Sequence, residues 1–306
     1  MANIIEIKDL RKYFGDIHAV DGISFRVKEG ELFSFLGLNG AGKSTTISVI
    51  CGLLRKDSGE VLICGKDPDD GTDEIKSAIG AVFQTSRLDL PLSVNDNLKT
   101  RASLYGITGQ SFRNRIEELD ALFNIKDLLP RPFGKLSGGQ KRRIDIARAL
   151  IHDPKILILD EPTTGLDPQS RIMVWDAIKV LRKTHGLTVF LTTHYMEEAA
   201  ESDFIVIIDS GKIAAEGAPH DLKEKYAHDL IKLYGADAGR VSSAGLEFKQ
   251  ENGYLSIPVR DTQAAKELIL KMPDLFTDFE VVKGNMDDVF LNATGKKLSG
   301  SEDFAK

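Results

Sequence analysis

The sequence predicts an α/β fold built on a mainly parallel sheet, and three observations carry that expectation. Short, nearly continuous apolar runs recur along the chain, helical patterns separate them, and a glycine-rich phosphate loop joins one run to one helix. The chain has 306 residues, 42% hydrophobic and 28% charged, a composition expected of a soluble globular protein with room for a large domain and a smaller appendage. No run approaches the ~20 apolar residues that span a bilayer. The start, "MANIIEIKDL", lacks the charged-then-apolar layout of a signal peptide. Cys51 and Cys64 form no metal-type cluster, and no structural disulfide is expected in what reads as a cytosolic chain. A net charge of −6 argues against nucleic acid as the main partner.

In chain order, the runs are "LFSFL" (Leu32–Leu36), "AIGAVF" (Ala78–Phe83), "ILIL" (Ile156–Leu159), "LTVFL" (Leu187–Leu191) and "FIVII" (Phe204–Ile208). Each has strand length and the nearly continuous apolar character of a strand covered on both faces. Directly after the first, "GLNGAGKST" runs from Gly37 through Leu38, Asn39, Gly40, Ala41, Gly42, Lys43 and Ser44 to Thr45, and a helical stretch follows. Gly37, Gly42, Lys43 and Ser44 fit G-x-x-x-x-G-K-[ST]. Glycines there let backbone N–H groups converge on phosphate oxygens, and the helix that follows points its positive end at them. Lys43 would bridge the outer phosphates and Ser44 would offer its hydroxyl to Mg²⁺.

Residues from about 88 to 150 are mostly helix-like, with turns at "ITGQ" and "PRPFGKLSGG", and read as a helical subdomain inserted into the sheet. The run "ILILDEP" then ends a strand on Asp160 and Glu161, where carboxylates face the ligand crevice of a parallel sheet. Asp160 suits the Mg²⁺ shell; Glu161, one residue on, projects differently and can address a water beside the terminal phosphate. After it, "PQSRIMVWDAIKVLRKTHG" predicts a helix with Asp167 as N-cap, Pro168 at its first position, Ile172, Trp175, Ile178 and Leu181 on one face, and Gly186 past its end. The α/β pattern fades after Leu222. The stretch 228–297 reads as a small α+β domain: a hairpin around "ENG", a helix at "TQAAKELILKM" and a strand at "FEVVKG". Residues 298–306 read as a polar tail, and the first domain spans 1–225.

"LSGGQ" (Leu136–Gln140), the phosphate loop and "ILILDEP" together resemble the ATP-binding-cassette (ABC) ATPases, whose own signature is LSGGQ. The resemblance runs from about Ile4 to Pro219 and includes Gln84 in "AVFQ", Asp167 in "TGLDP" and His194 in "LTTH". It implies an ABC-type P-loop NTPase fold that uses ATP and Mg²⁺, and a head-to-tail pair, with a second copy or a paralogous ATPase subunit, closing on two ATP molecules. Ser137, Gly138, Gly139 and Gln140 of one subunit would face the phosphate loop of the other, the helix start adding its positive end. On the same resemblance Phe14 stacks on adenine, with adjacent Tyr13 as a substitute. Gln84 reaches Mg²⁺ and the attacking water, His194 contacts the γ-phosphate and orients that water, Glu161 is the base, and Asp167 combines a helix cap with a contact across the dimer.

"LDLPLSVNDNLKTRASLYGI" and "GNMDDVFLNATG" are similar to segments of drug-resistance-type exporter ATPases, the daunorubicin-exporter group paired with type-two permeases. Ser93 and Asp96 stand where threonine and glutamate are usual. That resemblance implies a peripheral subunit on the cytoplasmic face of the membrane, powering export through a separate integral permease docked beside Gln84 and the helical insert. The competing class, an ABC ATPase acting on ribosomes or nucleic acid, is disfavoured by the single phosphate loop, the missing long heptad run and the acidic balance. An unrelated P-loop kinase or GTPase would lack LSGGQ, and no "NKxD" stretch is present.

Overall fold

The computed structural model describes residues 2–295, and the expected tail at 298–306 lies outside the described residues. The chain divides into two compact units, Met1–Glu216 and Gly217–Lys306. This division precedes the expected boundary at 225, because the helix at 219–226 packs with the last helix of the second unit, where Asn292 Nδ2 donates to Tyr226 O at 2.6 Å.

The first unit runs β1 (Asn3–Phe14), β2 (Ile17–Lys28), β3 (Leu32–Leu36), α1 (Lys43–Ile50), β4 (Ser58–Ile63), α2 (Asp73–Ala78) and β5 (Ile79–Val82). The helical insert follows as α3 (Val94–Ser103), α4 (Gly109–Phe123) and α5 (Gly138–Leu150). The chain then continues through β6 (Ile156–Asp160), α6 (Pro168–His185), β7 (Thr188–Thr193), α7 (Met196–Ala200), β8 (Phe204–Asp209) and β9 (Lys212–Gly217). Five strands run parallel in the order β5-β6-β7-β3-β8, with β9 at the edge, and each of the five overlaps one of the apolar runs.

Those strands are mostly apolar because both faces are covered. Ile156 and Ile158 turn to a core shared with β1, β2, β4 and α1; Leu157 and Leu159 turn to one shared with α3 to α6. In the first core, Phe25, Phe33, Phe35 and Phe190 pack with ring centroids 5.2 to 6.1 Å apart. Burying each such ring contributes roughly 1.5–3 kcal/mol. The antiparallel sheet β2-β1-β4 has no counterpart among the expected elements. Its long first strand is interrupted by register shifts, one between Ile7 and Leu10, which break the period-two signal.

Helix α6 matches its expected ends: Asp167 Oδ1 accepts from Ser170 N at 2.9 Å, Pro168 opens it, and Gly186 closes it at φ 63°. Its expected face needs correction. Val174, Ala177, Ile178 and Leu181 are buried, whereas Ile172 is 61% exposed. Residues spaced by three drift about 60° per step around a helix of 3.6 residues per turn, so Ile172 ends opposite Leu181.

The second unit runs α8 (Pro219–Tyr226), β10 (Asp229–Tyr234), α9 (Ala238–Ser243), β11 (Lys249–Glu251), β12 (Tyr254–Val259), α10 (Thr262–Lys271), β13 (Phe279–Val282) and α11 (Met286–Thr294). Its antiparallel sheet has the order β11-β12-β10-β13, with Ile231, Leu233, Leu255 and Ile257 packed in one core with Val241 of α9 and Ala265 of α10. The hairpin, α10 and β13 stand where the sequence indicated; the strand β10 and the helices α8, α9 and α11 add to them.

Gly80 on β5 tests the contact between sheet and insert. A Cβ there would lie 2.1 Å from Ala149 O on the backbone of α5. Gly80→Ala should therefore cost about 1–3 kcal/mol by overpacking. Ile172→Ser should stay within about 0.5 kcal/mol as an exposed change. Denaturant midpoints of the two variants measure the difference.

Candidate active site

The phosphate loop leaves β3 and enters α1 under tight steric limits. A Cβ on Gly37 would lie 2.6 Å from Ile208 O, and one on Gly42, held at φ 110°, would lie 2.4 Å from Ala19 O. Gly40 has open space around it but a φ of 83°, which a side chain disfavours. Gly42 caps α1 without any side-chain acceptor, so the first-turn amides have no side-chain acceptor there. Lys43 is 5% exposed; its Nζ donates to Gly37 O at 2.6 Å and Leu38 O at 3.1 Å. Burial pulls its ammonium below the usual lysine range, and the carboxylates of Glu161 and Asp160 oppose that pull.

Across the loop, β6 ends on two carboxylates held by β7. Thr192 Oγ1 donates to Asp160 Oδ1 at 2.6 Å, and Glu161 N–H donates to Thr192 O at 3.0 Å. Glu161 leaves the strand at φ 47°, a left-handed conformation uncommon for a residue with a Cβ. That turn brings its carboxylate among four groups. Oε1 lies 3.8 Å from Lys43 Nζ and 3.1 Å from His194 Nδ1, the latter outside hydrogen-bond alignment. Oε2 accepts from Gln84 Nε2 at 3.3 Å and Thr164 Oγ1 at 3.4 Å.

A cleft of about 540 Å³ is lined by Asn39, Gly40, Gly42, Lys43, Ser44 and Thr45 of the loop, by Gln84, Asp160 and Glu161, and by Ile17, His18 and Ala19. The donors suited to Mg²⁺ in it are a hydroxyl, a carboxylate and an amide oxygen. No group of three His, Cys, Asp or Glu side chains suited to a metal occurs among the described residues. That set fits a magnesium ion, which is bound through one or two carboxylates with a few other oxygens and completes its shell from phosphate and water.

The signature lies elsewhere. Ser137 caps α5, its Oγ accepting from Gln140 N at 3.3 Å while Gln140 Oε1 accepts from Ser137 N at 3.1 Å. Gly138 is exposed and lines a second cleft of about 270 Å³, which shares Gln84 and Glu161 with the first. Gly139 is buried, and a Cβ on it would lie 2.5 Å from Ser170 Oγ and 3.3 Å from Asp167 Oδ2. Its need for glycine therefore arises inside the chain. Asp167 also accepts from Ser170 Oγ at 2.7 Å, and Ser170's bonds hold its carboxyl below the usual range.

At the hairpin beside the loop, Tyr13 is committed. Its ring stacks on His18 at 4.2 Å and its hydroxyl donates to Asp21 Oδ1 at 3.0 Å. Phe14 is 49% exposed, with Lys12 Nζ 5.6 Å from its ring centroid. Of the two aromatics, Phe14 is the one free to receive a flat ligand. It stands outside the lining of the loop cleft, which its neighbour Ile17 enters.

An ABC transporter family model matches residues 20–164. The Nod factor export ATP-binding protein I of Burkholderia orbicola is 36% identical over 300 residues, covering 96% of this chain and 98% of the relative. The chain belongs to the ABC transporter family. The protein of that name from Ralstonia nicotianae is 35% identical over 309 residues, covering 96% of this ABC chain and 95% of the relative. Among solved structures, cbiO1 from Clostridium perfringens, part of the ABC transporter complex cbiONQ, superposes with a TM-score of 0.67 at 31% identity, covering 72% of this chain and 91% of that one. A dimeric bacterial ABC transporter cassette gives 0.65 at 30% identity, covering 70% and 98%. The chain is accordingly an ABC ATPase, and such ATPases bind ATP and ADP.

Spacing gave no hint of Thr192, Arg142 or Glu198. Glu198 on α7 is 4% exposed; Thr163 Oγ1 donates to its Oε1, and its Oε2 has no hydrogen-bond partner. Burial holds its carboxyl above the ordinary 4.5, a pull that Thr193, Arg171 and His194 reduce and Glu161 reinforces. The folded chain thus keeps this proton to higher pH than the unfolded chain. Its contribution to stability is full below the ordinary 4.5 and is lost as pH rises through the raised folded value. Glu198→Gln cannot ionise, so its thermal midpoint relative to the parent should rise as pH goes from about 4.5 to 7. Parallel melts across that range check the sign.

Proposed function

We propose that this chain is the ATP-hydrolysing subunit of an export transporter, and that its catalytic centre is completed by a second cassette. The observation that carries the reading is the carboxylate of Glu161, which meets Gln84, Lys43 and His194 at the edge of the phosphate-loop cleft. The backbone amides from Gly37 to Thr45 hold the phosphates, with Lys43 turning from the loop carbonyls to the outer oxygens. Ser44, Asp160 and Gln84 hold Mg²⁺, which when bound neutralises charge on the transferring phosphoryl group. Glu161 takes the proton of a water aligned on the γ-phosphorus, Gln84 keeps that carboxylate aimed, and His194 donates to the γ-phosphate. Phe14 supports the adenine ring.

Ser137, Gly138, Gly139 and Gln140 do not line the loop cleft of their own chain, and the capped start of α5 suits a γ-phosphate brought by a second copy or a paralogous subunit. Asp167 lies beside Gly139 and would join that contact. The solved relative described as a dimeric cassette supports this arrangement.

Export rests on the relatives, named for Nod factor export, and on the motifs shared with drug-exporter ATPases. The two agree on direction and differ on cargo, which a permease would select. No helix among the described residues is long and apolar enough to cross a membrane, so the path through it belongs to a separate protein. Exposed Leu90, Leu92 and Leu104 around α3 offer that permease an apolar foothold on the helical insert, at the cytoplasmic face.

Two substitutions separate the roles. Glu161→Gln should bind ATP normally, lose about 10²–10⁴ in kcat and accumulate as an ATP-bound dimer. Turnover assays with size-exclusion chromatography read both effects, and near-normal hydrolysis would remove the base assignment. Lys43→Ala should weaken ATP binding about 10- to 100-fold, the worth of a charged hydrogen bond of about 1.5–3 kcal/mol. Titration with a fluorescent ATP analogue measures it.

A further inference from the structure

Arg142 lies on α5, one helical turn beyond Gly138, and is 9% exposed. Its guanidinium makes three hydrogen bonds of 2.8 Å: Nε donates to Pro162 O, Nη1 to Phe83 O and Nη2 to Asp160 O. The acceptors have a pattern. Asp160 and Pro162 are the two chain neighbours of Glu161, and Phe83 immediately precedes Gln84. A single planar fork therefore grips the main chain on both sides of one active-site residue and on the near side of the other.

The far side of Gln84 is anchored to the same helix. Ser86 Oγ donates to Asp145 Oδ1 at 2.8 Å, and Asp145 sits three residues after Arg142 on α5. Gln84 is thus bracketed by two side chains of the helix that begins at the signature. These bonds satisfy carbonyls that the sheet leaves over where β5 and β6 end.

We propose that Arg142 is a positioning residue for ATP hydrolysis: its fork holds the backbone around Glu161 and before Gln84, and so keeps the Glu161 carboxylate aligned with Gln84. This rests on Glu161 being the general base. The arrangement demands arginine, because only a rigid planar group with separate N–H donors reaches three carbonyls in one plane. A lysine supplies a single point of charge on a flexible four-carbon stem. The left-handed turn at Glu161 gives the fork something to resist, since an unsupported backbone there relaxes toward commoner conformations.

The test uses the full chain and Arg142→Lys. Arg142 makes none of its hydrogen bonds to the phosphate loop, so KM for ATP should stay near the parent value. A displacement of the base near 1 Å should lower kcat by about 10²-fold. In the Glu161→Gln background the same substitution should cost nothing further, because its target is already gone. A parent-like kcat, a loss carried by KM, or additive losses with a slow Glu161→Gln variant would each overturn this proposal alone. A fast Glu161→Gln variant would overturn the base reading and this proposal with it. Arg142→Gln serves as the second variant, and failure of both to fold would make Arg142 a structural staple and overturn the proposal.

Discussion

The active site depends on how one buried strand ends. Strand β6 keeps its ladder with β7 through Asp160, and the next residue departs at φ 47°. A non-glycine residue in that region costs about 1–3 kcal/mol and persists only where the surroundings hold it. Thr192 supplies part of the hold, its hydroxyl on the Asp160 carboxylate and its carbonyl on the Glu161 amide. The carbonyls on either side of Glu161 go to Arg142. Backbone strain, strand pairing and a buried guanidinium thus converge on a single carboxylate.

Burial sets the electrostatics of the same region. Lys43, Asp160, Glu161, Arg142 and Asp145 are all at most 9% exposed, and so are not neutralised by bulk water. Burial pulls Lys43 and Arg142 down and pushes Asp145 up, and in each case opposite charges nearby restrain the movement. A site with few dry walls would screen these charges. Here each one feels its neighbours strongly, which is the condition under which fixed dipoles and charges act on a phosphoryl group.

Much of this was legible in the sequence, and the reason differs by element. The five parallel strands were legible because coverage on both faces leaves few polar positions in them. The phosphate loop and α6 were legible because glycine, proline and an Asp cap each answer a local backbone demand. The sheet β2-β1-β4 escaped because bulges interrupt its alternation, and Ile172 was misplaced because a three-residue spacing imitates a helical face over only two steps. Thr192, Arg142 and Glu198 escaped for another reason. Their partners, a carboxylate for Thr192, backbone carbonyls for Arg142 and a hydroxyl for Glu198, lie 18 to 59 residues away, and no local spacing rule records such a contact.

Gly139 answers a demand inside its own chain. Its missing Cβ makes room for Ser170 and Asp167 at the start of α6, so α5 and α6 meet nearly backbone to side chain there. A glycine placed there for docking a nucleotide would look no different in the sequence. The motif therefore serves an intramolecular contact, and its presence in a chain is, by itself, as much a statement about how two helices nest as about what a neighbouring molecule delivers.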